Sequence, residues 1–270
     1  MFKTSSLGGR CVFGGLYAIL ALLALVVAPA VSSAAIFNYT DQIGAKIKFI
    51  NISENTHSDP LPLFGAPTVA GDSLDFSPIN FFSSSLGANP VFDITDGLLK
   101  FTGMSLPGFA IENIKFAEGG ALSTFGVPAD NTTFVDVSAV GFLDILEVDN
   151  ISVNKISIPI DLKFSFGPGG NGTWELGTDG FANAKKWTGS QFIDLSQELT
   201  DRGIAFTKGV TLIDVVLDNS LYAQSLYATT GAYIDKKDFF TVTTNIPEPT
   251  SCLMAFFGLV GAVVVSRRGR

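Results

Sequence analysis

Residues 156–166 read ISIPIDLKFSF, and this stretch decides the fold class. Every second residue is apolar over its whole length, and the residues between them are polar or proline. A period of two places one set of side chains on one face of an extended chain, as in a half-buried β-strand. The apolar set is Ile156, Ile158, Ile160, Leu162, Phe164 and Phe166. Pro159 has no N–H for a ladder hydrogen bond, so we expect the strand to bend there or to lie at a sheet edge.

Similar strand-like runs occupy much of the chain on both sides of this stretch. They cover residues 46–52, 97–104, 109–116, 133–140, 210–218, 221–229 and 239–244, with turn residues at 71–72, 89–90, 96–97, 107–108, 128 and 218–219. In the third run the apolar phase slips between Ile111 and Ile114, which fits a bulge at residues 112–113. Many short strands without strand–helix alternation indicate a sandwich or barrel, and we predict an all-β fold, an antiparallel β-sandwich of jelly-roll or immunoglobulin-like type over residues 36–245.

Two segments depart from the strand pattern. Residues 194–197 have the spacing of a helix capping box, and Gly203 could end a short helix after Arg202. Residues 167–172 (GPGGNG) resemble a phosphate-binding loop only in glycine content, because no Gly-Lys-Ser/Thr ending follows. We interpret them as a hairpin loop.

The composition excludes several kinds of function. Residues 36–245 contain 12 Lys or Arg and 24 Asp or Glu, a net charge of −12. A uniformly negative field argues against nucleic acid and anionic lipid as partners, and suits cations or neutral polymers. Both cysteines, Cys11 and Cys252, lie outside this range, so it has no disulfide, catalytic thiolate or Cys-ligated metal.

The N-terminus has the organisation of a secretory signal. Lys3 and Arg10 precede an apolar run at residues 12–27, and small residues follow Pro29. We predict a signal peptide over residues 1–35, cleaved by signal peptidase after Ala34 or Ala35. The alternative is an uncleaved N-terminal anchor.

The C-terminus, residues 246–270, has three parts in order. Pro247, Glu248 and Pro249 precede an apolar run of 14 residues at 252–265, which is followed by Arg267, Arg268 and Arg270. As a helix the run would be about 21 Å long at ~1.5 Å per residue, against a hydrocarbon core of ~30 Å. It therefore predicts a short transmembrane helix over residues 250–266, with the arginines on the cytoplasmic side.

This tail resembles the PEP-CTERM sorting signal of Gram-negative bacteria, and the match covers about the last tenth of the chain. The resemblance implies that Pro247, Glu248 and Pro249 are recognised by exosortase, a membrane-embedded cysteine protease, and that the arginines stop translocation. It also implies passage through the secretion machinery and a transient stay in the inner membrane, followed by release to the cell surface or extracellular matrix. The alternative is a plain, permanent tail anchor.

Few residues suggest catalysis. The single histidine, His57, lies in the polar stretch SENTHSDP without a nucleophile elbow, so we interpret it as an exposed loop residue. Asp144, Glu147 and Asp149 form an acidic group that could provide a structural Ca²⁺ site, although no EF-hand loop is present. We therefore predict no catalytic residues, no further metal site and no other cofactor. The alternative is an extracellular carboxylate-based hydrolase of the glycosidase kind.

Trp174 and Trp187 lie in a Gly-, Asn- and Thr-rich region and could stack on sugars if their rings were exposed. PEP-CTERM proteins as a family are associated with exopolysaccharide and biofilm. The resemblance and the acidic β-rich body together lead us to expect an exported, non-enzymatic cell-envelope or matrix protein, structural or adhesive, that contacts exopolysaccharide.

Overall fold

The computed structural model describes residues 35–57 and 59–245. The sorting motif, the basic cluster, the short transmembrane helix and most of the signal peptide, including Ala34, lie outside these residues. Ala35 is the first residue described, and cleavage after it stays a prediction.

The described chain folds into two antiparallel sheets. The first sheet has eight strands: β1 (Ile36–Asn38), β2 (Gln42–Ile43), β3 (Ile47–Asn55), β7 (Phe92–Ser105), β9 (Phe134–Val148), β10 (Ile151–Asp161), β12 (Thr173–Glu175) and β14 (Val210–Gln224). The second has seven: β4 (Thr68–Ala70), β5 (Ser73–Phe76), β6 (Phe82–Leu86), β8 (Asn113–Gly126), β11 (Lys163–Phe164), β13 (Ala182–Asp194) and β15 (Thr230–Asn245).

Each sheet has its own strand order. The order β1-β3-β7-β14-β9-β10 runs through the eight-stranded sheet, where β2 also pairs with β3 and β12 with β9. The order β11-β13-β8-β15-β5-β4 runs through the seven-stranded sheet, where β6 also pairs with β15. One continuous cluster of buried apolar side chains, drawn from both sheets, fills the space between them. The prediction of an all-β antiparallel sandwich is confirmed, and the finer jelly-roll or immunoglobulin-like type stays a prediction.

The ISIPIDLKFSF stretch runs from one sheet to the other. Its first part ends β10, at an edge of the eight-stranded sheet, as the position of Pro159 predicts. After Leu162 the chain enters β11, which pairs with Ser190 and Gly189 of the seven-stranded sheet. The apolar side chains from Ile158 to Phe166 stay buried throughout. The alternation thus marks a continuous buried face. The prediction of a single strand is wrong, because the chain leaves the eight-stranded sheet and joins the seven-stranded sheet at Leu162.

A similar transfer explains the phase slip near residue 112. Ile111 forms an isolated bridge with Val210 of the eight-stranded sheet, and β8 of the seven-stranded sheet begins two residues later. The slip therefore marks a change of sheet and not a bulge inside one strand.

Two predicted turns are wrong because they lie inside long strands. Residues 96–97 belong to β7 and residues 218–219 to β14, and these strands pair with each other through both positions. Pairing along both edges of β14 supplies the backbone hydrogen bonds that override the local turn preference of Asp and Asn.

The predicted helix is confirmed as α1 (Leu195–Asp201), whose N-cap Asp194 accepts a hydrogen bond from Gln197 N at 2.9 Å. Gly203 follows with a left-handed φ of 68°. Within the described residues, no helix has the length and apolar character needed to span a bilayer. Residues 167–172 do form a loop, with a 3-10 turn at Pro168–Gly170. It connects β11 to β12 in the opposite sheet, so its interpretation as a hairpin loop is wrong.

Candidate functional site

The outer face of the eight-stranded sheet carries two adjoining depressions. The larger, which we call the apolar groove, has a volume of about 430 Å³, and the smaller, the polar groove, about 290 Å³. Both are lined in part by Val216 of β14. The outward side chains of the apolar groove are Leu98, Val140, Phe142, Pro159, Val216 and Asp218. Those of the polar groove include Asn51, Ser53, Lys100, Thr102 and Asp214.

Strand register builds the apolar groove. Val216 pairs with Phe142, and Phe142 pairs with Pro159, so three apolar side chains lie in a row across β14, β9 and β10. Asp218 lies in the next outward row, between its partners Leu98 and Val140. Phe142 is 57% exposed although it is large and apolar. The sequence did not reveal this surface, because the three strands meet only in the folded sheet.

Three aromatic rings stand side by side farther along the same strands. Tyr222 stacks on Phe92 at a centroid distance of 6.0 Å and on Phe134 at 5.3 Å, with ring planes within 8° and 19° of parallel. The rings come from β14, β7 and β9, the strands that also carry the central side chains of the apolar groove. The outer face therefore combines aromatic, aliphatic and short polar side chains.

His57, Asp96 and Asp218 meet at the edge of the apolar groove. His57 Nδ1 lies 2.9 Å from Asp96 Oδ2, and one potential ligand atom from each of the three residues lies within 4.8 Å of the others. Asp218 Oδ1 is buried and has no hydrogen-bond partner among the described residues. Partial burial raises the pKa of Asp218, His57 opposes the shift and the neighbouring Asp96 adds to it.

A cluster of one imidazole and two carboxylates can act in two ways. It could coordinate a divalent cation through one nitrogen and two oxygens, or bring two carboxyl groups together for acid–base chemistry. The cluster is not evident from the sequence, because His57 lies in a polar loop stretch and both aspartates fall in predicted turns. The alternation of β14 through residue 218 was the signal that could have placed Asp218 on the outer face.

Two carboxylates of the acidic group at residues 144–149 are engaged by neighbouring residues. Asp144 Oδ2 pairs with Lys155 Nζ at 3.1 Å. Asp149 accepts hydrogen bonds from Thr207 N and Oγ1, Lys208 N and Gly209 N, at 2.6–3.0 Å. Burial opposes ionisation of Asp149, but these hydrogen bonds outweigh it and lower its pKa to about 2. Both carboxylate oxygens of Asp149 thus hold the loop at residues 207–209 in place, and the structural Ca²⁺ site expected in this acidic group stays a prediction.

The two tryptophans do not converge on the outer face. Trp187 is 2% exposed, packs edge-on against Phe164 and Phe166, and donates its Nε1–H to Asp235 O at 3.1 Å. Its predicted sugar stacking is therefore wrong, because an inward position of β13 places the ring in the core. Trp174 is half-buried, and Lys185 Nζ lies 4.7 Å from its ring centroid. Sugar stacking by Trp174 stays a prediction.

Comparison with known proteins gives only weak likenesses. No protein-family model matches the chain, and no curated protein matches it. The enzymatically active domain of bacteriophage CBA120 tailspike protein 4 matches at 11% identity and a TM-score of 0.21, over 80% of this chain and 20% of the tailspike. TmCBM61 in complex with β-1,4-galactotriose matches at 10% identity and a TM-score of 0.20, over 78% and 88% of the two chains. At such scores neither likeness bears on fold or function.

Proposed function

We propose that this chain is an exported, non-enzymatic envelope or matrix protein whose sandwich binds exopolysaccharide through the outer face of its eight-stranded sheet. The apolar groove carries the proposal. A contiguous, exposed apolar surface beside polar groups is typical of a binding site. Aromatic and aliphatic side chains can contact the apolar faces of sugar rings, and the hydroxyl, amide and carboxylate groups of the polar groove can bind sugar hydroxyls. The net charge of −12 favours a neutral or cationic polymer over an anionic one.

The proposal includes the route by which the protein reaches the polymer. A signal peptide at residues 1–35 would engage the secretion machinery and signal peptidase. The tail at residues 246–270 would then anchor the protein in the inner membrane until exosortase cuts it. The support is the order of the three parts, Pro-Glu-Pro, apolar run and arginines. Mass spectrometry of the mature protein from exosortase-positive cells tests this route, and an intact Arg270 would exclude processing.

Binding is tested by retention of the purified full-length chain on exopolysaccharide from the producing cells. We expect Phe142→Ser to weaken retention at least tenfold, or about 1.4 kcal/mol. Phe192→Ser is the matched control, because Phe192 is 59% exposed on β13 of the other sheet. Equal losses in both variants, or none in either, would contradict binding at the groove.

A second function, glycoside hydrolysis, is favoured by one observation. Carboxylate oxygens of Asp96 and Asp218 lie within 4.8 Å of each other beside the groove, near the ~5 Å separation of retaining glycosidases. In this case the wild-type protein would release reducing ends from the bound polymer. Asp218→Asn would then abolish the release and leave retention intact. Retention without any release supports the non-enzymatic function.

A further inference from the structure

A lysine lies fully buried in the core of the sandwich. Lys236 of β15 is 0% exposed, and its Nζ lies 2.7 Å from Oε2 of the equally buried Glu118 of β8. The same Nζ contacts Oδ1 of Asn219, which extends inward from β14 of the opposite sheet. The ring centroids of Phe81, Phe64 and Phe240 surround the amine at 4.8–5.9 Å.

Hydrogen bonding does not account for all the polar atoms of this group. Glu118 Oε1 and Asn219 Nδ2 are buried without a partner among the described residues. A buried donor or acceptor left unpaired costs about 1–3 kcal/mol. An amine, a carboxyl and a carboxamide thus lie together in the core with two of their polar atoms unpaired.

We propose that Lys236 and Asn219 condense into an intramolecular isopeptide bond, with Glu118 transferring the protons. Glu118 first takes a proton from the ammonium of Lys236. The free Nζ then attacks Cγ of Asn219, and the Nζ–Cγ bond forms as the carbonyl becomes a tetrahedral oxyanion. The Cγ–Nδ2 bond breaks as Glu118 gives its proton to Nδ2, which leaves as ammonia, and takes one proton from the attacking Nζ. One amine and one primary amide give one secondary amide and one ammonia, without any oxidant or co-reactant.

The surroundings favour this reaction. Burial lowers the pKa of Lys236 against the effect of Glu118, and raises the pKa of Glu118 against the effect of Lys236. Both shifts favour a neutral amine beside a protonated acid, which are the nucleophile and the proton donor that condensation requires. Holding both reactants in contact gives the high effective concentration of an intramolecular reaction. Their complete burial keeps out the water that would compete.

The product would link the two sheets covalently. Asn219 belongs to the eight-stranded sheet and Lys236 to the seven-stranded sheet. The reaction also removes Asn219 Nδ2, one of the two unpartnered atoms. Residues 36–245 contain no cysteine and therefore cannot form a disulfide. The isopeptide bond would cross-link this part of the chain without an oxidation.

A tryptic digest of the denatured full-length protein tests the bond. Between Lys208 and Lys236 there is no other Lys or Arg, so an unlinked chain releases the linear peptide 209–236. A linked chain resists cleavage at Lys236 and releases peptide 209–237 lighter by one ammonia. Chymotrypsin cuts after Tyr222 and Tyr227, which lie between Asn219 and Lys236. In a linked chain the fragments that carry Asn219 and Lys236 must stay joined after these cuts.

Variants assign the roles. Lys236→Met and Asn219→Ala provide unlinked references. Glu118→Gln keeps the side-chain shape, and we expect it to release the linear peptide at least tenfold more than wild type. An ammonia loss confined to Asn219, with Lys236 still cleaved, would be a succinimide and would overturn the proposal. Release of unmodified peptide 209–236 from the wild type would overturn it as well, and full linkage in Glu118→Gln would overturn the role of Glu118.

Discussion

Asp218 and Asn219 are consecutive in β14, but their side chains lie on opposite sides of the eight-stranded sheet. Asp218 lines the apolar groove on the outer face, whereas Asn219 contacts Lys236 in the core. A strand directs successive side chains to opposite faces. This dipeptide therefore connects the proposed binding surface to the proposed cross-link, and its two residues can be tested separately.

The cross-link should contribute measurably to stability. Asn219→Ala removes it while keeping Lys236 beside Glu118, and we expect the free energy of unfolding to fall by about 3 kcal/mol, as for a bond that closes a loop of similar length. Urea denaturation measures the change. In a Glu118→Gln background, where the bond is already absent, the same substitution should cost much less. Equal costs in both backgrounds would show that Asn219 acts only through packing.

Asp149 should make the protein sensitive to acid. Its pKa of about 2 lies below the value of about 4 expected in the unfolded chain. The stabilisation is therefore fully present above pH 4 and is lost as the pH falls through 2. Asp149→Asn should lower the unfolding free energy by about 1–2 kcal/mol at pH 7, because it loses charged hydrogen bonds to residues 207–209. The unfolding free energies of the two proteins, measured by circular dichroism over a series of acidic pH values, should become equal near pH 2.

Asp218→Asn should have the opposite dependence on pH. Because the folded pKa of Asp218 is raised, the wild type loses stability as the pH rises from the unfolded value, about 4, through the folded one. The variant avoids this loss, and we expect a gain of no more than about 1 kcal/mol at pH 7, since the side chain is partly solvated. Below pH 4 the two proteins should unfold alike. Higher stability together with lost polymer release would indicate that Asp218 is a catalytic acid, as active sites often trade stability for function.

Trp187 should be a core residue and not a ligand contact. Trp187→Ala is expected to destabilise the sandwich by about 3–5 kcal/mol, the usual cost of removing a buried aromatic side chain. Trp174→Ala should cost less, since that ring is only half-buried. Urea denaturation and retention on exopolysaccharide should be measured on the same samples. A folded Trp187→Ala protein with wild-type stability and no retention would contradict this assignment.

Much of the fold could be predicted because its signals are local. Alternation over residues 156–166 indicated a strand face, Pro159 indicated an edge, and residues 194–203 indicated a capped helix. The turns expected at residues 96–97 and 218–219 were wrong because hydrogen bonds from distant strands overrode the preference of Asp, Asn and Gly for turns. The phase slip at residues 111–114 was visible, but its cause, a change of sheet, was not.

Local sequence patterns were enough to predict the all-β class, the acidic cysteine-free body and the tail on which the sorting proposal depends. They were enough because alternation, charge and motif order are properties of neighbouring residues. Only the tertiary structure brought Phe142 and Val216 together on one face, His57 to Asp96, and Lys236 to Asn219 between the sheets. Each of these contacts joins different segments of the chain, and the pairing and packing of strands set which residues meet.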